Sequence, residues 1–244
     1  MNMNATLVLV PGLMCDHTVW DAMRTHMGPA GLSAVVPDHG RANSLTQMAE
    51  QILQRYAGPL NVAGHSMGGR VAMEMWRLAP ERVQRLALLD TGFAACPAGE
   101  AGQAEADKRY ALLATARRDG VQAMARVWVQ GMVHPARLTD TALLDEILDM
   151  FARRDAEHFE AQIQALLARP DASAVLQQVP VRVWLVCGAQ DSWSPPAQHE
   201  AMGKLLAQST LEVIEDAGHM APMERPQAVG DALMRWLQTP PAQG

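Results

Sequence analysis

The segment Gly64-His65-Ser66-Met67-Gly68 constrains the possible folds of this chain more than any other. Residues 60–63 before it are mostly apolar and typical of a short buried strand. Residues 70–78 after it have the apolar spacing of a helix packed on a sheet. Glycines at both ends of the segment allow a strand and a helix to approach closely around one strained residue. The pattern predicts a sharp strand-to-helix turn that exposes the hydroxyl group of Ser66.

Composition and charge limit the classes of protein to which the chain can belong. At 244 residues it is long enough for one large α/β domain, and 49% hydrophobic and 19% charged residues are ordinary for a soluble globular protein. The net charge of −6, without any Lys/Arg run, argues against nucleic acid and membrane partners. Neither a signal peptide nor a membrane-spanning apolar stretch is expected. Three widely spaced cysteines without a CxxC motif favour a reduced, cytoplasmic setting.

Short apolar segments alternate with helical patterns along the chain. Six segments are predicted to be buried parallel strands: Thr6–Val10, 33–36, 60–63, Val83–Leu89, 181–186 and 211–214. Helical patterns lie between them, as at 46–56, 196–206 and Pro226–Leu237. This alternation implies right-handed crossovers and an α/β fold with a doubly wound, mostly parallel sheet.

A long segment between the fourth and fifth of these strands contains no convincing strand pattern. It is predicted to form several helices, near 102–115, 121–131, 140–153 and 155–167. An insertion of this kind is expected to form a helical cap over the carboxyl edge of the sheet. The predicted organisation is a core of residues 1–94 and 180–240, a cap of residues 95–179, and a disordered tail of residues 241–244.

Two residues far along the chain could act together with Ser66. Serine is a poor nucleophile unless a base lies within hydrogen-bond reach and a further group orients that base. Asp191 and His219 each follow a predicted strand, and the carboxyl ends of parallel strands are where α/β sheets build their sites. Asp90 also ends a strand and is a rival acid. The turn from Gly188 to Asp191 is the more usual carrier of the acid, so Asp191 is preferred.

Chemistry at Ser66 also needs backbone donors that face a developing negative charge. The sequence predicts two: the N–H of Met67, which begins the helix, and the N–H of Leu13, in a loop where Gly12 permits a tight turn. Cys15 lies in the same loop but has no matching histidine motif, which disfavours it as a nucleophile. No HxH, HxxxH or His/Cys cluster is present, so neither a metal nor a cofactor is expected.

Together these motifs resemble the α/β-hydrolase superfamily over nearly the whole chain. The matching segments are VLVPGLMCDHTVW, PDHGRANS, GHSMGGRVA, GAQDSWSP and AGHMAPMERP. The chain is most similar to the small, capped, carboxylesterase-like group that includes pimeloyl-carrier-protein methyl ester esterase and 3-oxoadipate enol-lactonase. The resemblance implies that Ser66 is the nucleophile, His219 the base and Asp191 the orienting acid. It also implies that Leu13 and Met67 supply the oxyanion hole.

Three features depart from the usual pattern of the superfamily. Pro11-Gly12 stands where His-Gly is common before the oxyanion loop, and the segment 38–44 is shorter and has one glycine fewer. The first predicted strand begins near residue 6, so the two leading strands of the full sheet are absent. A six-stranded sheet in the chain order 2-1-3-4-5-6 is therefore expected.

The resemblance predicts a serine hydrolase that cleaves small carboxylic esters through an acyl-enzyme intermediate. Lactone or thioester hydrolysis, or carbon–carbon or elimination chemistry on a carboxylated substrate, is the first alternative. A non-catalytic ligand-binding protein is the second, because fold alone does not define function. A cap arginine that reached the pocket, such as Arg117, Arg118 or Arg126, would favour an acidic substrate. Arg70, four residues past Ser66, is expected to face away.

The expected partner is a small-molecule ester or a related acyl substrate, held in a largely apolar pocket. Leu13, Met14 and Met67 are candidates to line it. In the predicted cap, three further candidates recur at every fourth position: Met124, Trp128 and Met132. Simple core packing accounts equally well for that spacing.

Overall fold

A computed structural model of the chain describes residues 5–241. Its five parallel strands are hydrogen-bonded in the order β1-β2-β3-β4-β5. Strands β2 and β4 are buried along their whole length, as expected when helices cover both faces of a parallel sheet. The strands are β1 (Thr6–Val10), β2 (Leu60–His65), β3 (Val83–Leu89), β4 (Val183–Gly188) and β5 (Ser209–Ile214).

The sheet has five strands rather than the six predicted. In the segment 33–36, only Val35 pairs, through an isolated parallel bridge to Val8 at the outer edge of β1. Because alternate residues of a strand face the same neighbour, the next donors toward β1 would be residues 33 and 37. The N–H of Ser33 is already donated to Pro29, and Pro37 has no N–H. The segment therefore lies beside β1 as expected but cannot extend a ladder.

Twelve α-helices connect the strands among the described residues. Helix α4 packs on β1, β2 and β3 and also on α3. Helix α12 packs on β3, β4 and β5 and also on α1. The helices before the insertion are α1 (Thr18–His26), α2 (Pro29–Leu32), α3 (Leu45–Arg55) and α4 (Met67–Leu78). The insertion carries α5 (Gly99–Asp119), α6 (Val121–Trp128), α7 (Thr141–Ala152), α8 (Ala156–Leu167) and α9 (Ser173–Leu176). The last three are α10 (Pro196–Gly203), α11 (Ala221–Glu224) and α12 (Pro226–Leu237).

The segment between β3 and β4 is helical, with no strand assigned to its residues. Helix α5 packs on α6 and α8, α6 packs on α7, and α7 and α9 reach α1 and α4 of the sheet layer. Within residues 5–241, no helix is both long enough and apolar enough to cross a membrane. Of the predicted tail 241–244, all but residue 241 lies outside the described residues.

Candidate active site

Ser66 occupies a tight turn between β2 and α4. Its backbone has φ 55° and ψ −119°, a region that L residues rarely adopt. A Cβ atom placed on Gly64 would lie 2.2 Å from the carbonyl oxygen of Gly68, and one placed on Gly68 would lie 2.2 Å from that of Val10. Only glycine fits at either position. The two glycines therefore let β2, α4 and β1 converge on Ser66.

The side chains of Ser66, His219 and Asp191 form a continuous hydrogen-bonded chain. The Oγ atom of Ser66 lies 2.8 Å from Nε2 of His219, and Nδ1 of His219 lies 2.8 Å from Oδ2 of Asp191. His219 follows β5 and Asp191 follows β4, and both are buried. Because a carboxylate only accepts hydrogen bonds, Nδ1 carries the proton. This tautomer leaves Nε2 free to accept the proton of Ser66.

Asp191 is held as a carboxylate although it is buried. Burial alone raises the pKa of its carboxyl group, but the His219 ring and the hydrogen bonds around Asp191 outweigh it, so the pKa lies below its ordinary value. Its second oxygen, Oδ1, accepts the backbone N–H groups of Trp193 at 2.8 Å and Ser194 at 2.9 Å. The loop after β4 thus fixes both the charge and the orientation of Asp191.

Asp90, the rival acid, also lines the cavity beside Ser66 but makes other contacts. Its Oδ1 atom accepts the N–H of Gly188 at 2.9 Å, and Oδ2 approaches Nε2 of His65 at 3.8 Å. Burial, and then the charge of Asp191, raise the pKa of Asp90 well above its ordinary value. The neutral form of Asp90 is therefore favoured more than in an exposed aspartate. Within residues 5–241 it is Asp191, not Asp90, that hydrogen-bonds to His219.

The loop after β1 lies directly against the serine turn. A Cβ atom placed on Gly12 would lie 3.2 Å from Cβ of Ser66. The N–H groups of Leu13 and Met67 donate to no acceptor among the described residues, and both residues line the same cavity as Ser66. His39 fixes the start of the loop through Nε2, which lies 3.0 Å from the carbonyl oxygen of Pro11. Two backbone donors without an acceptor among the described residues therefore belong to residues that line the cavity beside Ser66.

A cavity of about 510 Å³ opens beside Ser66 and His219. Much of its wall is aromatic. The ring centre of Trp193 lies 4.8 Å from that of His219 and 5.9 Å from that of Trp128, on which it stacks. The ring centres of Trp128 and Phe159 are 5.3 Å apart. These rings come from the loop after β4 and from the helices of the insertion. The insertion thus supplies a large part of the cavity wall.

The predicted pocket residues separate into two groups. Leu13, Met67 and Trp128 line the cavity. Three methionines do not line it and are buried in the hydrophobic core: Met14, Met124 and Met132. For Met124 and Met132, core packing, the alternative that their spacing left open, describes the contacts, and Met14 is buried in the core rather than lining the pocket as predicted. The N–H of Met14 is itself tied to Oε1 of Gln162 in α8 at 2.8 Å.

The expectation for Arg70 is wrong. Arg70 lines the cavity instead of facing away, because residues four apart in a helix share one face and Ser66 stands at the start of α4. The three cap arginines considered from the sequence are not among the lining residues: Arg117, Arg118 and Arg126. Other lining residues were not predicted from the sequence, including Trp193, Phe159, Arg109 and Arg169. Only the SWSP segment after Asp191 could have indicated Trp193.

The structure gives no support to Cys15 as a nucleophile. Its thiol is buried and approaches the carbonyl oxygen of Leu13 at 3.5 Å. Burial, followed by the charge of Asp16, raises the pKa of the Cys15 thiol to about 12. Since the thiolate is the reactive form, this thiol is inert at neutral pH.

The parallel sheet, the strained serine turn and the Ser66–His219–Asp191 chain together define an α/β-hydrolase. The profile of the alpha/beta hydrolase family matches residues 7–232, and this chain belongs to that family. The resemblance predicted from the motifs is confirmed.

Several relatives of the chain have assigned activities. The pimeloyl-[acyl-carrier protein] methyl ester esterase of Aromatoleum aromaticum is 28% identical over 237 residues, covering 91% of this chain and 93% of that protein. The 3-oxoadipate enol-lactonase 2 of Acinetobacter baylyi is 28% identical over 171 residues, covering 70% of this chain and 60% of that protein. Among solved structures, a malate-bound thermophilic esterase from Thermogutta terrifontis superposes with a TM-score of 0.84 at 26% identity. The superposition covers 96% of this chain and 89% of that protein.

Proposed function

We propose that this chain is a serine hydrolase that cleaves small carboxylic esters through an acyl-enzyme intermediate. Ser66 is the nucleophile, His219 the general base and Asp191 the acid that orients it. The observation that carries the proposal is the pair of 2.8 Å contacts that join Ser66 Oγ to His219 and His219 to Asp191. The esterases among its relatives support the same reaction class.

Proton transfer in this reaction follows the hydrogen-bonded chain. As Ser66 Oγ attacks the ester carbonyl carbon, His219 Nε2 takes the hydroxyl proton and later delivers it to the leaving alcohol. The ionised Asp191 stabilises the imidazolium cation that forms between these steps. A water molecule then replaces the alcohol, loses a proton to His219 and releases the acid from Ser66.

The negative charge that develops on the carbonyl oxygen needs preorganised donors. In this proposal they are the N–H groups of Leu13 and Met67, which have no other acceptor among the described residues. One such donor is typically worth about 3–4 kcal/mol of transition-state stabilisation. Because both donors belong to the backbone, the presence of Pro11 in place of histidine leaves them intact.

Residues 95–179 act as a cap over the sheet in this proposal. Helices α5, α6 and α8 contribute Leu112, Trp128 and Phe159 to the cavity beside Ser66. Apolar and aromatic walls suit a small acyl or alcohol group, and they also keep bulk water from the acyl-enzyme.

The test uses p-nitrophenyl esters from acetate to octanoate with the wild type and the Ser66→Ala variant. We expect a burst and steady-state turnover in the wild type, loss of both in Ser66→Ala, and fluorophosphonate labelling of Ser66 alone. Ser192→Ala is the matched control, because Ser192 is exposed and bonds only to the Gly131 carbonyl oxygen at 3.4 Å. A wild type that neither hydrolyses any ester nor takes the label would refute the proposal and favour a ligand-binding role.

Lactones are the second candidate substrates. A lactone is a cyclic ester and needs the same nucleophile, base and oxyanion donors, and one relative is named an enol-lactonase. Parallel assays with γ- and δ-lactones distinguish the two classes by their kcat/KM values.

A further inference from the structure

The cavity beside Ser66 has a second, charged end. Four cationic side chains line it, from α4, α5 and the segment after α8: Arg70, Lys108, Arg109 and Arg169. Besides Asp90, whose raised pKa favours its neutral form, the acidic side chain in the lining is Glu105. An excess of fixed positive charge inside a cavity favours an anionic occupant.

Glu105 is fully engaged by two of these arginines. Arg169 binds it through both nitrogens of its fork, with Nη1 and Nη2 each 2.7 Å from a carboxylate oxygen. Arg109 donates to the same carboxylate through Nη2 at 2.8 Å and Nε at 3.0 Å. The pKa of Glu105 is lowered to about 2, because these hydrogen bonds outweigh the effect of burial. Glu105 therefore forms its ion pairs with Arg109 and Arg169 and not with Arg70, although its charge offsets part of the repulsion at Arg70.

Arg70 carries a positive charge without a carboxylate partner among the described residues. Its Nη1 atom donates to the carbonyl oxygen of Ala94 at 2.9 Å, and no carboxylate of residues 5–241 lies within ion-pair distance of it. Burial, and then the charge of Arg169, lower the pKa of the Arg70 guanidinium to about 10. A desolvated guanidinium of this kind is stabilised by a bound anion.

A second donor converges with Arg70 on the same point. A Cβ atom placed on Gly92 would lie 3.0 Å from Nη2 of Arg70 and 2.5 Å from Nε2 of Gln198. All three residues line the cavity, and the side-chain amide of Gln198 has no hydrogen-bond partner among the described residues. The absence of a side chain at Gly92 thus lets both nitrogens approach the same point. A planar guanidinium with a neighbouring amide suits the two oxygens of a carboxylate.

We propose that Arg70 and Gln198 form a subsite for a carboxylate group of the substrate, so that the preferred substrate is an ester or lactone that carries a second, ionised carboxyl group. The inference rests on the proposed function, since the subsite and Ser66 share one cavity. Arg70 lies four residues along α4 from Ser66, a rise of about 6 Å, so a short chain separates the two groups of the substrate.

The test compares charged and neutral esters of equal length. The charged set is the monomethyl esters of succinate to suberate and the O-acetyl derivatives of ω-hydroxy acids, which place the carboxylate on either side of the ester. Their neutral counterparts are the dimethyl esters of the same diacids and the methyl esters of the same O-acetyl hydroxy acids. We expect the wild type to prefer one charged series. Arg70→Gln should lower kcat/KM for that series by about 10- to 100-fold and change it by less than about twofold for neutral esters.

Arg118→Gln is the matched control. It removes an equal charge from α5, but Arg118 is exposed and pairs only with its neighbour Asp119. We expect it to leave both series unchanged. If Arg70→Gln disturbs folding, Gln198→Met replaces it and should lower kcat/KM for the charged series alone, by about three- to tenfold. A wild type without preference for charged esters, or equal losses for both series, would overturn the proposal.

Binding to the Ser66→Ala variant separates the subsite from the catalytic proposal. Calorimetric titration with the preferred monoester, or with both series if the wild type hydrolyses none, measures affinity without turnover. Tighter binding of the charged ligand that disappears in Ser66→Ala/Arg70→Gln supports the subsite even if no ester is hydrolysed. Equal affinity for charged and neutral ligands refutes it even if Ser66 proves to be the nucleophile.

Discussion

Replacing Asp191 and Asp90 by asparagine, one at a time, tests which carboxyl group orients His219. In Asp191→Asn, the amide no longer holds the proton on Nδ1 of His219, and the ring can present a protonated Nε2 to Ser66. Such a ring cannot accept the serine proton. In a well-studied serine protease the equivalent change lowers kcat about 10⁴-fold. We expect a loss of similar size here, about 5.5 kcal/mol in activation free energy.

Asp90→Asn should behave differently. Burial raises the pKa of Asp90 and so favours its neutral form, and its contact is the N–H of Gly188 at 2.9 Å, which an asparagine oxygen also accepts. The variant preserves the shape of the side chain and this hydrogen bond. We therefore expect kcat to stay within about twofold of the wild type, because no charged hydrogen bond to His219 is lost.

The stability of the Asp90→Asn variant supplies an independent readout. In the wild type, unfolded Asp90 loses its proton above a pKa of about 3.9, whereas folded Asp90 keeps it because its pKa is raised. Between these two pKa values, this group lowers the free energy of unfolding as pH rises, by at most about 1.4 kcal/mol per pH unit. Asparagine removes this contribution. The variant should thus gain stability relative to the wild type as pH rises through this window.

The assays are steady-state kinetics with p-nitrophenyl butyrate and urea unfolding at several pH values. Circular dichroism confirms that each variant folds. A large loss of kcat in Asp90→Asn with nearly full activity in Asp191→Asn would refute the assignment of the orienting acid. A pH-independent stability difference between Asp90→Asn and the wild type would refute the raised pKa of Asp90.

Two further predictions concern the loop after β1. Gly12→Ala should lower kcat for p-nitrophenyl butyrate by about 10- to 100-fold, because the added methyl group lies 3.2 Å from Cβ of Ser66 and displaces the Leu13 N–H. The circular dichroism spectrum should not change. An unchanged kcat would show that the loop does not position a donor. Cys15 should resist a disulfide reagent at pH 8 in the native protein and react after unfolding, since burial raises its thiol pKa to about 12; rapid native labelling at Cys15, located by mass spectrometry, would contradict this.

The sequence allowed the elements around Ser66, Asp191 and His219 to be predicted because each motif is local. A short apolar strand followed directly by a polar loop residue places that residue at the carboxyl edge of a parallel sheet, whatever the rest of the chain does. The glycine pattern around Ser66 is equally local. Three such predictions, made separately, describe side chains that the structure joins through 2.8 Å contacts.

Features that depend on neighbours distant in the sequence could not be predicted in this way. The segment 33–36 has the composition of a strand, but its pairing is limited by Pro37 and by the bond of Ser33 to the end of α2. The spacing of Met124 and Met132 indicated a buried helix face without saying what it faces. Arg70 shares the face of α4 on which Ser66 lies, but whether a cavity borders that face depends on how the distant insertion covers it.

Hydrogen bonds join the insertion to the loop that carries His219, the proposed base. The N–H of His219 is donated to the carbonyl oxygen of Met132 at 2.7 Å. Glu224 accepts the N–H groups of Gly218 at 2.8 Å and His134 at 2.7 Å, and so ties the histidine loop to the insertion a second time. A rigid movement of this part of the insertion would pull His219 away from Ser66. His219 is therefore expected to stay in place only if substrate entry leaves residues 132–134 where they are.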